Sequence, residues 1–368
     1  MRVLVSGLAA DKLGGIETFL LNMNYYMSNN CVFDYVIEGN SCIHKNSIEK
    51  KGGEIYLFPS RRSMLLKNIL AWRALLKNKK STIQVVYFNM FSLAYTLPVF
   101  VCRYYGYKVI VHAHTNNLHD CGMLLKGLHC FNKQLLKLLN VKRLTNSKLS
   151  SGFMFGDPEA GEIIYNAIDV ERFKFNAEIR HKLRCQYGLN DKIVFGFAGR
   201  LVYEKNPLFL LDIFKEIIKI NPSSILMLIG DGDLMPEIKA KIKNYGIDHA
   251  VLLLGVCKNV EEFYQAMDVF ILPSRFEGLG IALIEAQTVG LPCLTSAEVV
   301  PPEAKVTDLL SYVPLKNNPV EWAHKALQKL NSNSHGRLQR YEKIKEGHFN
   351  IKKESLRFEK ILYDYGQS

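Results

Sequence analysis

The chain has 368 residues, 48% of them hydrophobic and 22% charged, which is enough for two domains with full cores and excludes a disordered or low-complexity protein. No apolar run reaches the roughly 18–20 residues of a spanning helix, and Val3–Ala10 is too short for a secretory signal, so a soluble, cytoplasmic chain is expected. The net charge of +12 is uneven: residues 1–180 hold 23 basic and 13 acidic side chains, and Ile55–Gly156 holds 15 basic side chains against one acid, Asp120.

In chain order, Arg2–Leu8 reads as a buried parallel strand, followed by a loop at Ala9–Gly14 and an amphipathic helix opening at Gly15. Further strands are expected at Cys31–Glu38, Ile55–Phe58, Thr82–Phe88, Lys108–His112, Arg143–Thr145 and Glu162–Tyr165, with helices between them. After an irregular stretch at Asn166–Asn190 the pattern restarts. Strands are expected at Ile193–Ala198, Ser224–Ile229, Val251–Leu254, Asp268–Leu272 and Pro292–Thr295. Helices follow at about Asn206–Ile220, Met235–Tyr245, Val260–Met267 and Gly280–Val289, and the tail beyond Pro319 is helical. Such alternation predicts an α/β protein of two Rossmann-like, doubly wound domains, with ligands at the carboxyl ends of the strands in a cleft between them. The eight cysteines are scattered without a Cys-x-x-Cys pair, which supports neither a disulfide scaffold nor a metal cluster.

The strongest chemical signal lies in the second half. Phe270–Ala286 reads as strand, loop and helix start, in which Gly278 and Gly280 let backbone approach a ligand. The N–H groups of Leu279, Gly280, Ile281 and Ala282 favour an anion, most simply phosphate. Glu277 and Glu285 bracket that position, and a costly carboxylate pair there suits sugar hydroxyls. Taken singly, Glu285 reads equally as a solvated helix residue and Glu277 as a cap. Gly199-Arg200 and Lys205-Asn206-Pro207 follow the first strand of the same domain, where Arg200 and Lys205 suit phosphate oxygens; Asn206-Pro207 is also an ordinary helix start. Asp231 and Asp233 form an Asp-x-Asp pair, read as a tight turn rather than a cation site.

In the first half, Gly14-Gly15 opens a helix whose dipole would favour an anion, although a lone Gly-Gly turn is a weak signal. His112-Ala-His114-Thr-Asn-Asn ends a strand with two imidazoles on the same face. Further ligands at zinc spacing are lacking. One histidine is read as a hydrogen-bonding group in the cleft and the other as structural.

Together, Glu277-x7-Glu285, Gly199-Arg200…Lys205-Asn-Pro, the Gly14-Gly15 loop, and Ile164–Asp169 with Arg172-Phe173 resemble glycosyltransferase family 4, retaining nucleotide-sugar enzymes of the GT-B fold. His112–Asn116 and Val299–Glu303 resemble its capsule and exopolysaccharide branch; Ala167 departs from the commoner glycine. The resemblance runs over nearly the whole chain. It implies that Glu285 binds the donor ribose and Glu277 the transferred sugar. Arg200 and Lys205 would hold the diphosphate, helped by Gly15 and the N–H groups of Leu279–Ile281, while the Gly255–Lys258 loop, with Val256 and Cys257, would receive the base. His112 or His114 would lie near the reacting sugar, His114 being favoured. An acceptor-binding domain of residues 1–175 and a donor-binding domain of 176–348 are expected, with 349–368 packing back on the first.

The expected function is retaining transfer from a nucleotide diphosphate sugar, a UDP-sugar, to a polyprenyl-diphosphate-linked saccharide, with no cofactor and no metal. Arg61–Lys80 carries seven basic residues and no acid on an amphipathic pattern, and Met123–Lys137 repeats that character. Both suit an anionic inner-leaflet surface, hence a peripheral place on the cytoplasmic face of the inner membrane; their leucines could equally face the sheet. A GT-B UDP-sugar epimerase and a basic nucleic-acid-binding protein are the alternatives. Against the latter, no stacking platform with interleaved arginine is present. An NAD-dependent oxidoreductase lacks its Gly-x-Gly-x-x-Gly turn.

Overall fold

The computed structural model describes residues 1–12, 14–115, 122–330 and 337–368. Asn116, Asn117 and Asp120, singled out above, and Cys121, one of the eight cysteines, lie outside the described residues. Two compact units emerge: Met1–Ala167 with Ile351–Ser368, and Ile168–Asn350.

The first unit contains a parallel sheet of β1 (Arg2–Ser6), β2 (Val32–Glu38), β3 (Ile55–Phe58), β4 (Val85–Met90), β5 (Lys108–Ala113), β6 (Lys142–Thr145) and β7 (Glu162–Ile163), in the order β3-β2-β1-β4-β5-β6-β7. Side-chain alternation sorts the buried strand residues onto two apolar faces. Val3, Val5, Tyr35 and Tyr87 pack with Phe19 and Leu20 of the Gly15–Tyr26 helix and with Phe358 and Leu362 of the Ile351–Gln367 helix. Leu4, Val36, Val86 and Val109 pack on the other face with Trp72, Leu76 and Leu136. The C-terminal helix is therefore a core element of this unit although the chain returns to it last. Its Glu354, 1% exposed, accepts from the N–H of Tyr165 at 2.8 Å and pairs with Arg357.

The second unit repeats the plan with β8 (Ile193–Ala198), β9 (Ser224–Ile229), β10 (Val251–Gly255), β11 (Val269–Leu272), β12 (Cys293–Ser296) and β13 (Leu310–Val313), all parallel in the order β10-β9-β8-β11-β12-β13. Sequence reading omits β13, because four residues between Leu309 and Pro314 are too short to show a period; pairing with β12 makes them a strand. In each sheet the strand order reverses once, between β1 and β4 and between β8 and β11. Open α/β sheets bind ligands outside the carboxyl ends of the strands at such a point. Among the described residues, no helix is long and apolar enough to cross a membrane.

Phe358 is fully buried against the rings of Phe19, Phe33 and Tyr87, with centroids at 6.4, 6.4 and 5.4 Å. Phe358→Ala should destabilise the first unit by roughly 3–5 kcal/mol. Native-state hydrogen exchange should show lost protection in β1, β2 and β4 and unchanged protection in β8, β9 and β11.

Candidate active site

The loops that follow β8, β9 and β11 are laced together by backbone hydrogen bonds. Leu201 N–H donates to Asp231 O at 2.9 Å, and Leu234 N–H returns to Leu201 O at 3.0 Å. On the other side, Arg275 N–H donates to Glu204 O at 2.7 Å. The close approach demands glycine: a Cβ on Gly230, where φ is +128°, would stand 1.9 Å from Gly199 O. Asn206 takes a left-handed conformation, φ 57°, which turns the chain into the helix that starts at Pro207. The segment Gly199–Asn206 is thus held between two neighbouring loops, and Arg200 and Lys205 are placed by that frame.

Lys205 Nζ pairs with Glu277 Oε1, the carboxylate being 8% exposed as a residue, and Ser274 Oγ donates to the same oxygen at 3.1 Å. The lysine expected on phosphate and the glutamate expected on sugar are therefore bonded to each other. An ammonium has three donors, so this pair leaves Lys205 capacity for an anion while fixing its position. Arg200 is exposed and forms no ion pair among the described residues. Arg275 lies over the Tyr203 ring at 4.7 Å, bracing the joined loops.

Gly280 is the N-cap of the Ile281–Val289 helix in a left-handed conformation, φ 80°, which a side chain would strain. No side chain caps this helix and its first turn holds no acid, so its N-terminal dipole is left uncompensated. Leu279 and Gly280 are buried, while Gly278, Ile281 and Ala282 are partly accessible. Glu277 does not cap the helix; its carboxylate turns to Lys205 instead. Glu285, one turn further in, is partly accessible yet densely surrounded, and this burial pushes its carboxyl up to about 7 against the pull of a hydrogen bond from Tyr264, 2.9 Å away. The Glu261 charge also raises it, and Arg172 lowers it. Beside β10, Val256 is 79% exposed, and Cys257 Sγ turns back toward the carbonyls of Leu254 and Gly255 at 3.8 Å.

In the first unit the Gly15–Tyr26 helix differs from this pattern. Glu17, 3% exposed, sits in its first turn and accepts from Gly14 N–H at 2.9 Å and Ala9 N–H at 3.1 Å. The Gly14 N–H is thus bonded to Glu17, whose carboxylate sits at the positive end of the helix dipole, while Gly15 has no such bond to Glu17. His112 and His114 emerge from β5 on one face with ring centroids 4.0 Å apart. His112 is fully buried, and its Nδ1 lies 2.5 Å from the Tyr87 hydroxyl. His114 keeps 7% exposure and sets Nε2 at 2.8 Å from Asn89 Oδ1. Burial lowers the basicity of both, His114 to about 3.

Tyr264, Ser274, Glu17 and Asn89 escaped sequence reading. Ser274, three residues before Glu277 in the strand-to-helix loop, is the one whose position carried a local signal. Among the described residues, no group of three or more His, Cys, Asp or Glu side chains is placed to hold a metal ion.

Residues 180–347, most of the second unit, match the family described as glycosyl transferases group 1. The chain is 28% identical over 276 residues to the Escherichia coli UDP-Gal:alpha-D-GlcNAc-diphosphoundecaprenol alpha-1,3-galactosyltransferase, covering 68% of this chain and 70% of that one. It is 28% identical over 296 residues to Bacillus subtilis EpsF, covering 78% and 77%. In structure it is similar to Anabaena HepE in complex with UDP, with a TM-score of 0.81 at 17% identity over 99% of this chain and all of the other. The group 1 glycosyltransferase match thus lies in the second unit, and the chain has the GT-B fold of two parallel-sheet α/β domains.

Glu285 gives the site a pH signature. Its ordinary carboxyl value is 4.5 and its folded value about 7, so the folded state holds this proton through a window in which the unfolded chain has lost it. Stability from this group therefore falls as pH rises from 4.5 to about 7. Glu285→Gln removes the slope, so in thermal melts the variant should gain on the wild type steadily across that window and hold the gain above it.

Proposed function

We propose that this enzyme transfers a sugar from a UDP-sugar to a hydroxyl of a polyprenyl-diphosphate-linked saccharide, with retention at the anomeric carbon. One observation carries the reading. At the point where the second sheet reverses, an uncapped helix N-terminus lies next to a fixed ammonium, Lys205, and within one turn of a proton-holding carboxyl, Glu285. A diphosphate suits the first two, and ribose hydroxyls suit the third. Arg200, exposed beside them, adds a bidentate phosphate grip. The base is assigned to the Gly255–Lys258 backbone with Val256 and Cys257, the transferred sugar to Glu277 and His114, and an accessory phosphate contact to Gly15. The similar HepE structures are complexes with UDP, with UDP and glucose, and with UDP-glucose, and the Escherichia coli relative is named for a UDP-sugar and a diphosphoundecaprenol-linked acceptor.

In the reaction the bond from the anomeric carbon to the diphosphate oxygen breaks, and a bond from that carbon to the acceptor oxygen forms. Negative charge grows on the departing diphosphate, where Arg200, Lys205 and the helix N-terminus of Ile281 stabilise it. Glu277 Oε1 already accepts from Lys205 and Ser274, which makes it a poor nucleophile. The acceptor therefore attacks the same face that the leaving group vacates, and its proton passes to the departing phosphate.

Membrane docking rests on a separate surface. In the Leu65–Asn78 helix, Trp72 and Leu76 pack on the sheet while Leu66 and Leu70 are 80% and 58% exposed. In the Met123–Lys137 helix, Met123, Leu124 and Phe131 are 90%, 77% and 62% exposed. These apolar residues are not spent on the core, and Arg61, Arg62, Lys67, Lys126 and Lys133 accompany them. An anionic bilayer at the cytoplasmic face, where the acceptor lipid lies, fits both features.

Arg200→Ala and Lys205→Ala should each lower transfer by roughly 10²–10³-fold in a radiolabelled-sugar assay while preserving circular dichroism. Wild-type rates in the double variant would refute the phosphate assignment. The wild type should co-sediment with phosphatidylglycerol vesicles over phosphatidylcholine at low salt, and Leu66→Ser with Leu124→Ser should weaken it. Equal binding to both vesicles would refute membrane docking.

A further inference from the structure

Four polar side chains share one face of the first sheet: Tyr87 and Asn89 from β4, His112 from β5 and His114 just past its end, with Asn89 opposite His112 in the register. Phe19 covers them, its ring edge-on to His112 and His114 at 5.3 and 5.4 Å. Within this group Asn89 is held at both ends. Its Nδ2 donates to Ser6 O at 3.3 Å, and its Oδ1 lies 2.8 Å from His114 Nε2.

The chemistry of these contacts permits one arrangement. A main-chain carbonyl only accepts, so the amide nitrogen must face Ser6 and the amide oxygen must face His114. That oxygen also only accepts, so the proton of a neutral His114 sits on Nε2, and Nδ1 carries a lone pair. No second hydrogen bond reaches the imidazole from the described residues. Burial keeps the ring neutral at ordinary pH, so Nδ1 stays an acceptor. The position of Asn89 is itself built in: a Cβ on Gly7 would stand 2.8 Å from Asn89 Cβ and 2.4 Å from its carbonyl oxygen, so only glycine leaves room for it.

We propose that Asn89 is a positioning residue that locks His114 as the Nε2–H tautomer, so that Nδ1 accepts a hydrogen bond from a hydroxyl of the transferred sugar. This rests on the assignment of His114 to that sugar and adds the tautomer, the direction of the hydrogen bond and the residue that imposes both. A sugar hydroxyl is then read as a donor at this point, which disfavours a deoxy or fluoro substituent there.

Two readouts test it independently. Long-range ¹H–¹⁵N spectra of histidine-labelled enzyme should show His114 with the proton on Nε2. Asn89→Leu, similar in volume but without an acceptor, should shift that population toward Nδ1–H and lower kcat roughly 10–100-fold with a smaller change in donor KM. Asn89→Asp, which still accepts from Nε2, should keep the tautomer and turn over faster than Asn89→Leu. A wild-type Nδ1–H tautomer, or Asn89→Leu with native tautomer or native kcat, would overturn the proposal. His114→Ala with full turnover would instead remove the sugar assignment on which it rests, whatever the spectra show.

Discussion

The backbone hydrogen bond from Arg275 to the carbonyl of Glu204 joins the loops after β8 and β11 across the line where the strand order of the second sheet reverses. Lys205, Glu277 and the start of the Ile281–Val289 helix hang from this junction or follow closely on it. It brings Lys205 to Glu277, and the loop it anchors ends in the glycine that opens the Ile281–Val289 helix. The opposite side of the same frame depends on contact between Gly199 and Gly230, too close for any side chain. Charged groups that must grip a diphosphate need such support, since long side chains on loose loops lose rotamer freedom on binding and give that much less affinity.

The two glycine-opened helices show how the same local motif can serve opposite ends. In the first unit the helix brings its own anion: Glu17 fills the N-terminal dipole and ties down the preceding loop through Ala9 and Gly14. In the second unit the corresponding helix has neither cap nor acid in its first turn. Any compensation must come from outside the helix, which is the setting in which helix N-termini take anions. The Lys205–Glu277 pair is consistent with this division. It keeps both charges from standing alone while leaving donors on the ammonium.

Much of this was legible from residues in order. Strand runs such as Ile193–Ala198 and Ser224–Ile229 were readable because both sheet faces are covered, which makes buried parallel strands continuous in apolar character. The spacing of Glu277 and Glu285 was readable because strand, loop and helix follow one another locally. What sequence could not give was pairing over distance. Tyr264 meets Glu285 from another helix, Asn89 meets His114 across two strands, and nothing near Glu277 in the chain announces Lys205 as its partner. The Gly14-Gly15 motif was read for its glycines, and the contact of Glu17 with the N–H groups of Gly14 and Ala9 was not read with it. The leucines of Arg61–Lys80 were ambiguous until burial separated Trp72 and Leu76, which pack inward, from Leu66 and Leu70, which do not.

Hydrogen–deuterium exchange with and without UDP tests the central assignment most directly, because it locates the nucleotide diphosphate without needing the acceptor or the identity of the sugar. Bound UDP should slow exchange in Arg200–Asn206 and in Gly278–Glu285 together, with peptides of the β12–β13 edge unchanged. Protection confined to other segments, with those two exchanging as in the free enzyme, would contradict the account.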